Sequence, residues 1–139
     1  MQKGFTLIEL LVVMIIVSLL VVVSVPKYKT AMEKARAQEG ITNLTLAADQ
    51  ANGYYMMQEG SYAGVDKFLE KGMDGTKINY FQAPTVGVRN NIVTITVKSG
   101  KGYSLFVKLG NGRVTDRGCT PDAGNATAAR LCDAIGWGS

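Results

Sequence analysis

The sequence predicts an α+β chain: a long N-terminal helix, apolar in its first half and amphipathic in its second, packed on a small antiparallel sheet of three to four strands. Three observations predict it. Residues 5–25 read FTLIELLVVMIIVSLLVVVSV, 21 residues with a single charge. From Tyr28 to about Gln58, apolar residues recur at three- and four-residue steps. From Ile92 to Leu109 they alternate at every second position, the strand period. The 139 residues suit about one domain. With the apolar segment set aside, the remainder buries only a modest core and gains from a covalent staple.

The first element is the apolar run. At 1.5 Å rise per residue it makes a helix of roughly 31 Å, the thickness of a bilayer core. An ordinary secretory signal has a shorter apolar region and a small-residue exit. This run instead ends in Val25-Pro26-Lys27. The signal reading therefore fails; a plain single-span anchor remains an alternative, and Glu9 decides between that anchor and something more specific. A carboxylate in a span costs about 2 to 3 kcal/mol and marks function; near the membrane edge it can also be tolerated by snorkelling. No Lys or Arg lies between Phe5 and Val25 to compensate it. A cut between Gly4 and Phe5 would create an α-amino group one helical turn away, positively charged below about pH 8.

The stretch K-G-F-T-L-I-E at residues 3 to 9, the apolar run to Val25 and the Pro26-Lys27-Tyr28 that follows closely resemble the amino terminus of type IV pilins and related pseudopilins. The resemblance is specific from residue 1 to about 62. It implies that a prepilin peptidase cuts after Gly4, that the new amine of Phe5 is methylated, and that Glu9 guides docking of the subunit into a growing filament. Charge alone does not orient the span, because Lys3 lies on one side and Lys27, Lys29, Lys34 and Arg36 on the other. A leader on the inner side of the membrane is what the resemblance implies.

The second element begins at Pro26, which has no N–H and is expected to kink the helix between Val22 and Pro26. Beyond it, Tyr28, Ala31 and Ala35 mark one stripe, continued by Ile41, Leu44, Ala48, Ala51 and Tyr55. Gly40 and Gly53 weaken this helix by about 1 kcal/mol each. Tyr54-Tyr55 and Met56-Met57 read as packing residues. In the pilin family the helix ends near a G-x-Y step, here Gly60-Ser61-Tyr62.

The third element is the head. Residues 63 to 91 are glycine-rich, with short strand candidates at Ile78 to Gln82 and Val86 to Arg89; so long a connection suggests a functional surface. Ile92–Val97 and Tyr103–Leu109 form a hairpin turned by Ser99-Gly100-Lys101-Gly102. Gly110-Asn111-Gly112 supplies the next turn, into a third short strand at Arg113–Thr115. One apolar face of this sheet is left for the helix to cover. In the topology that the resemblance implies, Cys119 and Cys132 lie in an oxidising compartment, which with their even count favours a disulfide. Closing a loop of about 14 residues stabilises the fold by roughly 3 kcal/mol. Their position also resembles the disulfide-bounded region of pilins. Trp137 reads as packing.

The domain layout is therefore a cleaved leader at 1–4, a transmembrane and assembly helix at 5–25, and an exported head at 26–139. Within the head the helix runs to about 58, an αβ-loop spans 59–91, the sheet 92–115 and the disulfide-bounded region 116–139.

Composition excludes several functions. The chain has no histidine, which removes the usual general base and commonest metal ligand, and no nucleophile sits beside a base. No enzyme, cofactor or metal site is predicted; Asp116, Asp122 and Asp133 lack the tight spacing of a calcium loop. The net charge of +4 is mild and no block of five or six like charges occurs, which argues against a nucleic-acid partner. Asn43-Leu44-Thr45 and Asn125-Ala126-Thr127 match the glycosylation sequon by chance. The reading is a structural subunit, major or major-like, that polymerises with copies of itself into a surface pilus. Its partners are the prepilin peptidase, the assembly machinery and, before assembly, the inner membrane. The alternatives are a pseudopilin of a type II secretion system and a minor pilin that binds DNA or a surface.

Overall fold

The computed structural model describes residues 3–73 and 78–138. Its elements run α1 (Leu7–Met57), α2 (Val65–Met73), β1 (Thr85–Arg89), β2 (Ile92–Lys98), β3 (Tyr103–Gly110), β4 (Arg113–Pro121) and α3 (Ala126–Ile135). The chain divides into two compact units, the first ending at Glu33 and the second beginning at Lys34.

In the first unit the apolar residues of α1 are exposed, Leu7 at 90% and Val22 at 73%. An 18-residue window has a mean hydropathy of 3.0, enough by length and composition to cross a membrane. The polar side chains in this stretch are satisfied locally. Ser18 Oγ donates to the Met14 carbonyl and Ser24 Oγ to that of Leu20, each at 2.7 Å. Such back-bonding removes the cost of a bare hydroxyl in an apolar medium. The helix continues through Pro26 without a break.

In the second unit the four strands form one antiparallel sheet in the order β1-β2-β3-β4. Two-residue turns at Asn90-Asn91 and Asn111-Gly112 join β1 to β2 and β3 to β4; all four residues have positive φ, which suits the right-handed strand twist. Val93, Ile95 and Val97 of β2 and Tyr103, Leu105, Val107 and Leu109 of β3 are buried on one face. The second half of α1 packs there through Ala37, Leu44, Ala47, Ala48 and Ala51. Gly40 makes the closest approach, since a Cβ on it would lie 2.8 Å from the Phe81 ring and 3.1 Å from Leu105 Cδ1.

Several expectations are corrected. The buried stripe of α1 begins at Glu33, Ala37 and Gly40, not at Tyr28, Ala31 and Ala35, which are exposed. A charged residue and a glycine hid the true phase. The glycine-rich connection contains α2, with Val65 and Leu69 buried, Asp66 in its first turn and Lys71 in its last, a placement that suits the helix dipole. Ile78–Gln82 is not a strand: Phe81 makes a single bridge to Ser99, and Gln82 N donates to the Lys98 carbonyl at 2.8 Å. The last strand reaches Pro121 instead of stopping at Thr115, after a register shift opposite Lys108 and Leu109. The tail holds α3, whose first turn is capped by Asn125 Oδ1 accepting from Ala128 N at 3.0 Å and whose end is Gly136 at φ 64°. Asn125 therefore acts as an N-cap.

Candidate functional site: the chain start and the disulfide-bounded head

Residues 3–6 precede α1 without regular structure, Gly4 has open space around it, and Phe5 is 85% exposed. The Gly4–Phe5 bond thus lies in a segment free of helical hydrogen bonding, the form in which a peptidase can take a backbone. Four residues on, Glu9 occupies the first turn of α1. Its Oε2 accepts from Thr6 N at 2.9 Å, and Glu9 N donates back to Thr6 Oγ1 at 3.4 Å. This reciprocal pair is a capping box, in which Thr at the N-cap and Glu three residues later satisfy each other's orphan amides. Sequence reasoning found Glu9 but missed Thr6; the signal was the spacing T-x-x-E immediately ahead of the apolar run. Within one chain, then, the carboxylate has a backbone partner. A helix start also favours negative charge by its dipole.

Cys119 on β4 and Cys132 on α3 are bonded to each other, with Cα atoms 5.4 Å apart. The bond ties the tail helix to an edge strand. Trp137 adds a second tie: its Nε1 donates to the Phe106 carbonyl at 3.2 Å, and the Arg117 guanidinium lies 4.9 Å from its ring centroid. The expected packing role of Trp137 is thus supplemented by a hydrogen bond and a cation–π contact.

A third tie is Tyr62, which is fully buried just after α1. Its hydroxyl donates to Asn52 Oδ1 and accepts from Gly112 N, both at 3.2 Å. Its own amide donates to Asn91 Oδ1 at 2.8 Å, and Tyr55 packs 4.6 Å away. One residue thereby joins the end of α1 to both two-residue turns. Burial pushes its phenol above the ordinary value, against the opposing effect of the Gly112 hydrogen bond. On the αβ connection, the Glu39 carboxylate accepts from Asn79 N, Asn79 Nδ2 and Tyr80 N, at 2.9, 3.1 and 3.3 Å. Among the described residues no group of three or more Asp, Glu or Cys side chains is placed to hold a metal ion.

Comparison with known proteins fits this geometry. The prokaryotic N-terminal methylation motif matches residues 1–25. The fimbrial protein of Neisseria meningitidis serogroup B is 32% identical over 122 residues, covering 82% of this chain and 71% of that protein. A type IV major pilin protein, PilE1, of Neisseria gonorrhoeae is 31% identical over 122 residues, covering 82% and 73%. The ComG operon protein 3 homolog of Bacillus licheniformis is 39% identical over 62 residues, 42% of this chain and 61% of that one. No solved structure matches.

Proposed function

This chain belongs to the type IV pilin family, a pilin subunit with an N-terminal methylation motif, and from that premise we propose how it is processed and assembled. The chain is made as a single-pass inner-membrane precursor. Prepilin peptidase removes residues 1–4, and the amine of Phe5 is methylated. The span of residues 5–25 then leaves the bilayer for the interior of a homopolymer, as a major or major-like subunit. The observation that supports the structural role is the extent of the match, which takes in 82% of this chain, far more than its apolar start, against proteins named as a fimbrial protein and a type IV major pilin.

Glu9 is the docking residue in this reading. It is the one charge in the span, and the amine created at Phe5 of a neighbouring subunit is its complementary partner. Thr6 supports the role by holding the carboxylate at the helix start before a neighbour arrives. Pro26, which offers no N–H to the Val22 carbonyl, is the place where the helix can bend as it enters the filament.

Glu9→Gln tests docking cleanly, because glutamine also serves at the third position of a capping box, so the helix start is preserved while the charge is lost. The variant should accumulate in the membrane, cut but unassembled, when the fibre fraction sheared from cells is compared with the membrane fraction. Abundant normal fibres would refute the docking role. Intact-mass measurement of parent fibres should show loss of residues 1–4 and one added methyl group; full-length chains in fibres would refute the processing step.

A further inference from the structure

Two Asn-Gly steps occur in the chain, Asn52-Gly53 and Asn111-Gly112. Such a step is the least durable kind in a backbone, because glycine has no Cβ to keep its amide nitrogen away from the asparagine carboxamide. Hydroxide takes the proton of the glycine amide, and the nitrogen attacks the asparagine Cγ. The new N–C bond closes a succinimide ring, the Cγ–Nδ2 bond breaks, and ammonia leaves with a proton from water. Water then opens the ring at either carbonyl. The product is aspartate, or isoaspartate with one extra carbon in the backbone.

The two steps are built differently. Asn52-Gly53 lies within α1, which runs on to Met57, so helical hydrogen bonds hold its backbone. Asn111-Gly112 is the turn between β3 and β4, with Asn111 exposed, and the fold demands this pair there. Both residues have positive φ, 54° and 72°, which a two-residue turn requires and Asn-Gly supplies. A Cβ on Gly112 would lie 3.0 Å from the Tyr55 ring, so a larger residue does not fit without movement. In place of a helix, this step has Tyr62. Gly112 N donates to the Tyr62 hydroxyl, which itself donates to Asn52 Oδ1, both at 3.2 Å. Asn52 thereby takes the phenol proton and leaves an oxygen lone pair facing the Gly112 nitrogen.

We propose that Asn111 is a site of spontaneous deamidation and that the Tyr62 hydroxyl sets its rate. While the hydrogen bond stands, the Gly112 amide is pinned with its N–H on Tyr62 and cannot swing onto the Asn111 Cγ. Loss of its proton would also set a negative nitrogen against the phenol oxygen. Both effects oppose ring closure. Burial holds the phenol above its ordinary value, so the hydroxyl keeps the proton it gives to Asn52 under mildly alkaline conditions, where deamidation is fastest. Conversion runs one way and accumulates with the age of the chain. Aspartate puts a carboxylate at the turn, and isoaspartate lengthens a two-residue connection that fixes the β3–β4 register. The inference stands on the geometry of this unit and goes beyond the pilin reading, on which it does not depend.

The test follows amide-to-acid conversion by peptide mapping of the detergent-extracted full-length chain, aged in mildly alkaline buffer. In the folded parent, Asn111 should convert at least tenfold more slowly than in the same chain unfolded by guanidinium chloride. Tyr62→Phe, which keeps the ring, should speed conversion at Asn111 at least fivefold. Asn52, guarded by its helix, is the internal control and should change less than twofold in that variant. Gly40→Ala crowds α1 against Phe81 and leaves the turn untouched, so it should also leave Asn111 within twofold of the parent. A folded parent that converts at the unfolded rate would overturn the proposal. So would a Tyr62→Phe chain as slow as the parent, which would assign the protection to turn geometry alone. Asn52 rising in step with Asn111, or Gly40→Ala matching Tyr62→Phe, would overturn it in favour of general loosening.

Discussion

Tyr62 shows how much can depend on one hydroxyl. It is buried between a side-chain acceptor on α1 and a backbone donor in the β3–β4 turn. Tyr62→Phe keeps the ring and its packing on Tyr55 but leaves Asn52 Oδ1 and Gly112 N without their partner. A loss of about 1 to 3 kcal/mol is expected, measured by denaturant unfolding in detergent. The pH dependence follows from the raised phenol. A group whose folded pKa lies above its unfolded value holds its stabilisation fully below the unfolded pKa, near 10, and loses it as pH rises through the folded value. Parent stability should therefore fall on alkaline titration above about pH 10, and Tyr62→Phe should flatten that fall. An equally steep alkaline loss in the variant would assign it to another group. Of the residues that matter most, Glu9 was legible because a charge in an apolar run stands out. Tyr62 was not, because nothing local to a Gly-Ser-Tyr step reveals partners 10 and 50 residues away.

At the scale of elements, the two glycines of α1 separate propensity from packing. Both read as weak points of a helix. Gly53 has open space around the position of a Cβ, so Gly53→Ala should stabilise by up to about 1 kcal/mol through helix propensity alone. Gly40 faces Phe81 and Leu105 at contact distance, so Gly40→Ala gains the same propensity and loses more to overpacking, about 1 to 3 kcal/mol before that offset. Opposite signs in thermal melts of the two variants are the expected result; stabilisation by both would show that α1 rests only loosely on the sheet. The strands β2 and β3 were legible because each alternates cleanly across one buried face. The helices α2 and α3 were not. Both are short, at 9 and 10 residues, and lie among glycines that read as loop. Their signals were present in the Asp66 and Lys71 of α2 and in the Asn125 and Gly136 that bound α3, but each is a single residue with other uses. Most of β4 was hidden for a different reason. It is an edge strand with exposed residues on both faces from Arg113 to Arg117, so no alternation marks it.

For the molecule as a whole, the unit from Lys34 onwards is small, and its tail is held by Cys119–Cys132, Trp137 and the packing of Ala128 and Ile135. Replacing both cysteines by serine should cost roughly 3 kcal/mol and lower the melting temperature by roughly 10–20 °C, read by circular dichroism of the detergent-extracted chain. A drop of only a degree or two would show that the tail helix is held by packing alone. The sheet has one further property. Its spatial order, β1-β2-β3-β4, is also its order along the chain, so every strand pairing closes a short loop. Pairings this local close quickly, hairpins forming in about 1–10 μs, while thiol oxidation takes seconds to hours. The meander is thus expected to close before the sulfurs join, which makes the disulfide a late lock on the sheet and not a guide to its formation.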